Sequence, residues 1–584
     1  MRKGIAVSPG VTIGKAYCIH DVYVDPKHTH VKSSEVEGEL ARFEIARRRS
    51  IADLRTLQEK VIVQVGKEAA AIFAVHETIL QDTALLNKVR AFIQNENLSA
   101  PAALSKTMDY YRTLMSRASD DYMRERVADI RDVVERLTSL LSDALRKNSK
   151  SLDGPIIVVA DELLPSQVVM LGDKPVHGIV TQAGGQTSHA AIIARSRGIP
   201  AVSGVAGILR LTKTGDCIVV DGRDGLVIVN PDAETLAAYR KLEREFFDLR
   251  DKLAHNRDQP AKTLDGQPLE LLANINNVSD AKSACAMGAC GVGLYRTEYL
   301  YLTHTKVPDE AEQLEIYKEV IAASPQRCVT IRTLDIGGDK TSPFIGRSPH
   351  EANPFMGWRS IRVSFEHPQF FLAQVRAILQ SSATRDSQVQ ILFPMVTNLE
   401  ELRRLRTIVR RAEEQLTSER KPFGKVAFGM MLEVPAAAVM IDQLVEEVDF
   451  VSVGSNDLVQ YLMAADRDNP KVSHLCQPLA PAVLRVLQSV VSACDRAKRP
   501  ITLCGEMAGQ PQAFVLLLGM GLRRFSMSPA FVPTIKELAS HLSISMAQAI
   551  LAKALRQKTT KQIQKLLIQE LIKIAPNLQP IFIQ

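Results

Sequence analysis

Eight short apolar segments, each followed by a stretch of helical spacing, fill the region from Pro260 to about residue 540 and narrow the folds open to it. They are Leu269–Ile275, Gly291–Arg296, Val329–Leu334, Val389–Pro394, Val426–Glu433, Phe450–Gly454, Ile501–Gly505 and Arg524–Ser528. Strands buried on both faces read as unbroken apolar runs, and helical crossovers between them make neighbours parallel. Eight such units over about 280 residues predict a TIM (β/α)8 barrel, with its chemistry at the carboxyl ends of the strands.

The polar residues fall at those ends. Arg296 ends the second strand, Arg332 lies on the third, Glu433 ends the fifth, Asn456 and Asp457 follow the sixth, and Cys504 ends the seventh. Buried charges at strand ends destabilise a fold unless they serve a ligand. Arg296, Arg332 and Arg467 suit bidentate contacts to phosphate and carboxylate oxygens. Glu433 and Asp457 are hard oxygen donors of the kind Mg2+ takes, with water and substrate oxygens completing an octahedron. Each residue alone has a bland explanation; their joint placement on one rim points to a site for a phosphorylated acid.

The first 230 residues read differently. β-type segments at Gly4–Ile19, Pro155–Val159, Gly178–Val180, Cys217–Asp221 and Val227–Val229 outline a small α/β domain over 1–32 and 146–230. Into it is inserted a nearly glycine-free block, 33–145, of about four helices, opening with a capping box at Ser34 and Glu37. Within the α/β domain, Gly184–Arg195 reads GGQTSHAAIIAR. The glycines allow a tight turn, and Thr187 and Ser188 stand where a helix cap leaves free N–H groups, so an anion on His189 would meet amides, hydroxyls and a helix dipole. Neutral imidazole is a competent nucleophile near pH 7. A charged, glycine-free stretch over 231–260 reads as a linker helix.

Composition limits the alternatives. With 46% hydrophobic and 23% charged residues the chain has the makings of ordinary globular cores. MRKGIAVSPG has no signal-like apolar stretch and no run of about 18 apolar residues occurs, so a cytoplasmic protein without membrane insertion is expected. The eight cysteines (18, 217, 285, 290, 328, 476, 494 and 504) are scattered without metal-ligand spacing, which suits a reducing compartment. The net charge of +7 comes mostly from the 541–584 tail, where Lys553, Arg556, Lys558, Lys561, Lys565 and Lys573 face Glu570 alone. Without interleaved aromatics or a helix-turn-helix pattern this does not predict nucleic-acid binding. Ile550, Leu551, Leu555, Ile563, Leu566, Leu567 and Leu571 instead fit amphipathic helices that pack on the barrel or on a second subunit.

The motifs GGQTSHAAIIAR, GLYRTEYL (293–300), IRTLDIGGDK (331–340), NPFMGWRSIR (353–362), FPMV (393–396), VGSNDLVQY (453–461) and CGEMAG (504–509) closely resemble enzyme I of the bacterial phosphotransferase system, the phosphoenolpyruvate-protein phosphotransferase family. The resemblance runs from about Gly4 to about Leu538. It implies an N-terminal α/β phosphohistidine domain with an all-helical insertion, a phosphoenolpyruvate-binding barrel over 261–540, and homodimerisation through the barrel. By the same resemblance His189 is the phosphorylated histidine. Arg296, Arg332, Asn456, Asp457 and Arg467 bind phosphoenolpyruvate, Glu433 and Asp457 hold Mg2+, and Cys504 donates the proton that completes pyruvate. Lys340 and Arg359 stand in matching motifs. The insertion would dock the histidine phosphocarrier protein HPr, with His76, Arg126 and Asp129 as candidates. Gln186 departs from a position often basic in the family, which removes the charge-assisted part of a contact to phosphate.

The resemblance implies the first step of sugar phosphotransfer, from phosphoenolpyruvate to His189 and on to HPr. Absence of an added amino-terminal sensory domain favours the sugar-transport branch over a nitrogen-regulatory or other signalling phosphotransferase. A dikinase-like protein served by a separate nucleotide-binding chain is a further alternative, since this chain has no room for such a domain.

Overall fold

The structure, a computed structural model, describes the chain except residues 9, 20–29, 65–70, 116–120, 142–153, 163–175, 184–193, 195–198, 304–306, 338–352, 384–385, 468, 470 and 583–584. It divides into two units, Met1–Phe247 and Asp248–Gln584.

The first unit is built on strands β1 (Arg2–Lys3), β2 (Ile5–Ser8), β3 (Val11–Ile19), β4 (Ile156–Ala160), β5 (Val176–Thr181), β6 (Ala201–Ser203), β7 (Cys217–Asp221) and β8 (Leu226–Val229). They form one sheet in the order β1-β8-β7-β3-β4-β5-β6-β2. β4 is buried at all five positions, which is why IIVVA lacks the alternation of a one-sided strand. The expected segments are present, and β6 is added to them. Three residues between Pro200 and Gly204 are too few to carry a periodic signal.

Between β3 and β4 lie helices α1 (Val36–Gln64), α2 (Ala71–Gln81), α3 (Thr83–Glu96), α4 (Ala100–Met115) and α5 (Asp121–Leu141). Among the described residues there are five rather than four, because Asp82 restarts the chain: its carboxylate accepts from the Ala84 and Leu85 N–H groups and caps α3. The capping box expected at Ser34 and Glu37 does not form. A 3-10 turn over Ser33–Glu35 comes first, and Glu35 accepts from the Lys32 N–H at 2.9 Å. These helices enclose their own core around Phe43, Leu80, Val89, Ile93 and Leu137. His76 belongs to that interior, 1% exposed and 3.9 Å from Asp132, so it cannot serve a docking surface as expected. The side chains of Arg126 and Asp129 lie outside the described residues.

The second unit holds β9 (Glu270–Ile275), β10 (Val292–Arg296), β11 (Cys328–Arg332), β12 (Gln388–Phe393), β13 (Ala427–Leu432), β14 (Phe450–Val453), β15 (Ile501–Leu503) and β16 (Arg524–Met527). Each pairs in parallel with the next, and β16 closes on β9. All eight apolar segments are strands of this closed barrel. Its lumen is packed by Leu294, Leu392, Met431, Phe450 and Cys504. Gly429 makes room there, since a Cβ at that position would lie 2.2 Å from the Phe450 ring. Burying one such aromatic is worth about 1.5–3 kcal/mol.

Beyond residue 540, helices Ile544–Leu555 and Thr560–Ile574 bury Ile550, Leu551, Ile563, Leu567 and Leu571 in the same core as the barrel helices. The tail therefore covers the barrel with its apolar face, and its six cationic residues are exposed. Among the described residues no single helix is long and apolar enough to cross a membrane.

Candidate active site

The barrel brings the rim residues together. Arg296 and Arg332 are the last residues of β10 and β11, which pair with each other. Glu433 follows β13, and Asn456 and Asp457 open the helix Ser455–Met463 after β14. Cys504 follows β15. The loops are tied where they meet: the Asn456 side-chain oxygen accepts from the Glu506 N–H at 3.1 Å, and Asn274 donates to the Cys504 carbonyl at 2.8 Å.

Charge in the site is ordered as an alternating chain. Glu298 pairs with Arg332, which lies 3.0 Å from Asp335. Asp335 accepts from Arg359 at 3.0 Å, Arg359 lies 3.5 Å from Asp457, and Asp457 lies 3.1 Å from Arg467. All but Arg467 are buried. Burial works against the Arg359 charge, but Asp335, Asp457 and Glu433 outweigh it and hold the guanidinium charged well above its usual range. Arg296 is the exception. It makes no ion pair among the described residues, and burial together with the like charge of Arg332 pushes its pKa down. A half-buried cation in that state is stabilised by any anion that reaches it.

Glu433 is 1% exposed. One oxygen accepts from the Met395 N–H at 2.6 Å, which Met395 presents by adopting a left-handed φ of 57°. The other faces Gly454, where a Cβ would lie 2.6 Å away. Burial, then repulsion from Asp457 and Asp335, raises the Glu433 carboxyl far above the usual carboxylate range. Two buried carboxylates in mutual repulsion are what a divalent cation relieves. Among the described residues no group of three or more His, Cys, Asp or Glu surrounds a metal position. Two carboxylates, with water and substrate oxygens, nevertheless make an adequate shell for Mg2+, so the residues fit that ion.

Cys504 is 2% exposed, with its sulfur 3.4 Å from the Val453 carbonyl. Burial pushes its thiol up to about 11, against a hydrogen bond from Ser452 and the pull of Arg332. It is therefore a protonated thiol at neutral pH, with a proton to give.

Three participants went unread in the sequence. Glu298 stands two residues after Arg296, Asp335 three after Arg332, and Tyr461 four after Asp457. The Tyr461 hydroxyl donates to the Phe355 carbonyl at 2.5 Å and lies 3.4 Å from Arg359, and burial pushes it up to about 12. The available signal was the carboxylate spacing within GLYRTEYL and IRTLDIGGDK. His189, Gln186 and Lys340 lie outside the described residues. The strand that leads toward His189 is described: β5 ends at Thr181, and Gln182 donates to Asp161 at 2.9 Å.

Comparison with known proteins gives this arrangement a class. The family model "PEP-utilising enzyme, PEP-binding domain" matches residues 250–544, and those for the N-terminal and mobile domains of PEP-utilising enzymes match 3–126 and 152–225. These matches give the chain the domains of a PEP-utilising enzyme. The chain is 36% identical over 578 residues to the phosphoenolpyruvate-protein phosphotransferase of Haemophilus influenzae, covering 99% of this chain and 100% of the relative. It is 39% identical to that of a Bacillus species, covering 94% and 95%, and 38% identical to that of Bacillus subtilis, covering 96% and 98%. It belongs to the phosphoenolpyruvate-protein phosphotransferase family.

Proposed function

We propose that the protein moves the phosphoryl group of phosphoenolpyruvate to His189 and from there to a histidine of HPr, releasing pyruvate, as the first step of a cytoplasmic sugar phosphotransfer chain. The observation that carries this reading is the rim itself, where four arginines and a protonated thiol meet and Arg296 makes no ion pair among the described residues. Arg296, Arg332, Asn456 and Arg467 bind the phosphate and carboxylate oxygens and fix the phosphorus in line with the imidazole. The His189 nitrogen attacks phosphorus, an N–P bond forms, and the bond from phosphorus to the enol oxygen breaks. The enolate carbon takes the Cys504 proton, and the thiolate is reprotonated from solvent. Glu433 and Asp457 would hold Mg2+, which when bound supplies charge neutralisation at the transferred and departing oxygens.

His189 serves two reactants, so the domain that carries it swings about the 231–260 helix between the barrel rim and HPr on the 33–145 insertion. The protein works as a homodimer joined through its barrels. Arg296→Met tests the reading: kcat/KM for phosphoenolpyruvate should fall by roughly 10² or more, as with other lost preorganised contacts. Phosphoryl exchange with phospho-HPr should be untouched. Normal turnover of phosphoenolpyruvate by the variant would remove the carrying observation.

A further inference from the structure

Four guanidiniums on one rim repel one another, and a free arginine samples many rotamers. Two carboxylates counter both effects in this structure. Glu298 is 3% exposed and pairs through one oxygen with Nη2 of Arg332. Asp335 is 5% exposed. Its Oδ2 lies 3.0 Å from Nη1 of Arg332, while Nη2 of Arg359 donates to its Oδ1 at 3.0 Å and its Oδ2 at 3.1 Å. Arg332 is thus gripped from two sides, each terminal nitrogen by a different carboxylate, and Asp335 grips Arg359 as well.

What the two guanidiniums keep is equally informative. The Nε groups of Arg332 and Arg359 are buried and have no hydrogen-bond partner among the described residues, and neither does the second oxygen of Glu298. Buried donors of this kind call for a partner, and a phosphorylated acid on this rim would supply one. The carboxylates themselves repel a phosphorylated acid, so any contribution they make to its reaction passes through the arginines.

The geometry points to Asp335 as a positioning residue for the reaction with phosphoenolpyruvate. It holds the forks of Arg332 and Arg359 in their receiving orientation, and Glu298 closes the far side of Arg332. This rests on the reading of Arg332 as a substrate contact. Removing the Asp335 charge deletes no arginine, only the orientation of two of them, so attraction of the trianion persists and KM does not rise. Misplacement of the phosphoryl group lowers kcat, by roughly 10² for a displacement of about 1 Å.

A double-mutant cycle on the full-length protein, reading pyruvate release with Mg2+ and HPr, separates this role from a merely structural one. Asp335→Asn should lower kcat by roughly 10² in the wild-type background and by as much again in Arg296→Lys, since the ion pairs of Asp335 among the described residues are with Arg332 and Arg359. In Arg332→Lys the loss should shrink to about tenfold or less, the residue being carried by Arg359. Equal losses in both lysine backgrounds would overturn the proposal. If Arg332→Lys alone turned over phosphoenolpyruvate at the wild-type rate, the substrate-contact reading would fail instead. Should Asp335→Asn not fold, Glu298→Gln takes its place: its effect should vanish in Arg332→Lys, and persistence there would be equally fatal.

Discussion

Replacing Gly454 by alanine probes the candidate metal site without altering any charge. The added Cβ would lie 2.6 Å from Oε2 of Glu433, 3.0 Å from its Cβ and 3.2 Å from Cγ of Met431. Carbon and its neighbours prefer about 3.5 Å or more, so the carboxylate has to retreat by roughly 1 Å. Gly454 has φ −81° and ψ 79°, so no left-handed strain adds to the steric effect. Retreat opens the 2.6 Å contact with the Met395 N–H. Overpacking of this kind costs about 1–3 kcal/mol, and a displacement of about 1 Å in a catalytic site lowers the rate by roughly 10². Pyruvate release should therefore fall by about that factor and need more Mg2+, while exchange with phospho-HPr remains normal. A variant with wild-type turnover and unchanged Mg2+ dependence would refute the placement of Glu433 as a ligand.

Three other predictions rest on the same division of the chemistry. Because burial raises the Cys504 pKa to about 11, the thiol keeps its proton through the neutral range and gains thiolate only as pH approaches that value, so its alkylation should steepen about tenfold per pH unit between pH 8 and 10; a plateau near pH 8 to 9 would mark an ordinary thiol. Cys504→Ala should slow pyruvate formation sharply yet leave exchange with phospho-HPr intact, and equal loss of both in a folded variant would remove Cys504 as the proton donor. A fragment ending near Asn256 lacks every rim residue and should accept and return phosphate with HPr but ignore phosphoenolpyruvate; consumption of phosphoenolpyruvate by it would move the chemistry out of the barrel.

The barrel was legible because the middles of its strands are buried on both faces: ILF of β12 and MML of β13 are unbroken apolar runs, and the polar Gln388 stands at the exposed start of its strand. The rim residues were legible as strand-end charges. Their partners were not. That Asp335 serves two arginines depends on bringing Arg359, 24 residues further along the chain, back to the end of β11, and no local spacing encodes such a meeting. His76 misled for a related reason: a histidine followed by Glu77 and Thr78 on a helix reads as part of a polar face, whereas it lies in the interior beside Asp132. The barrel glycines were informative only in retrospect, since Gly429 and Gly454 are required by what approaches them and not by their own dihedrals.

The most direct measurement is the site of label after brief incubation of the full-length protein with phosphoenolpyruvate labelled in its phosphoryl group and Mg2+, followed by peptide mapping at alkaline pH. One acid-labile, base-stable phosphoryl group on His189, matched by pyruvate and transferable to HPr, is the predicted result. His189→Ala should take up no label from either donor. Label on another residue, or undiminished labelling of the alanine variant, would contradict the account.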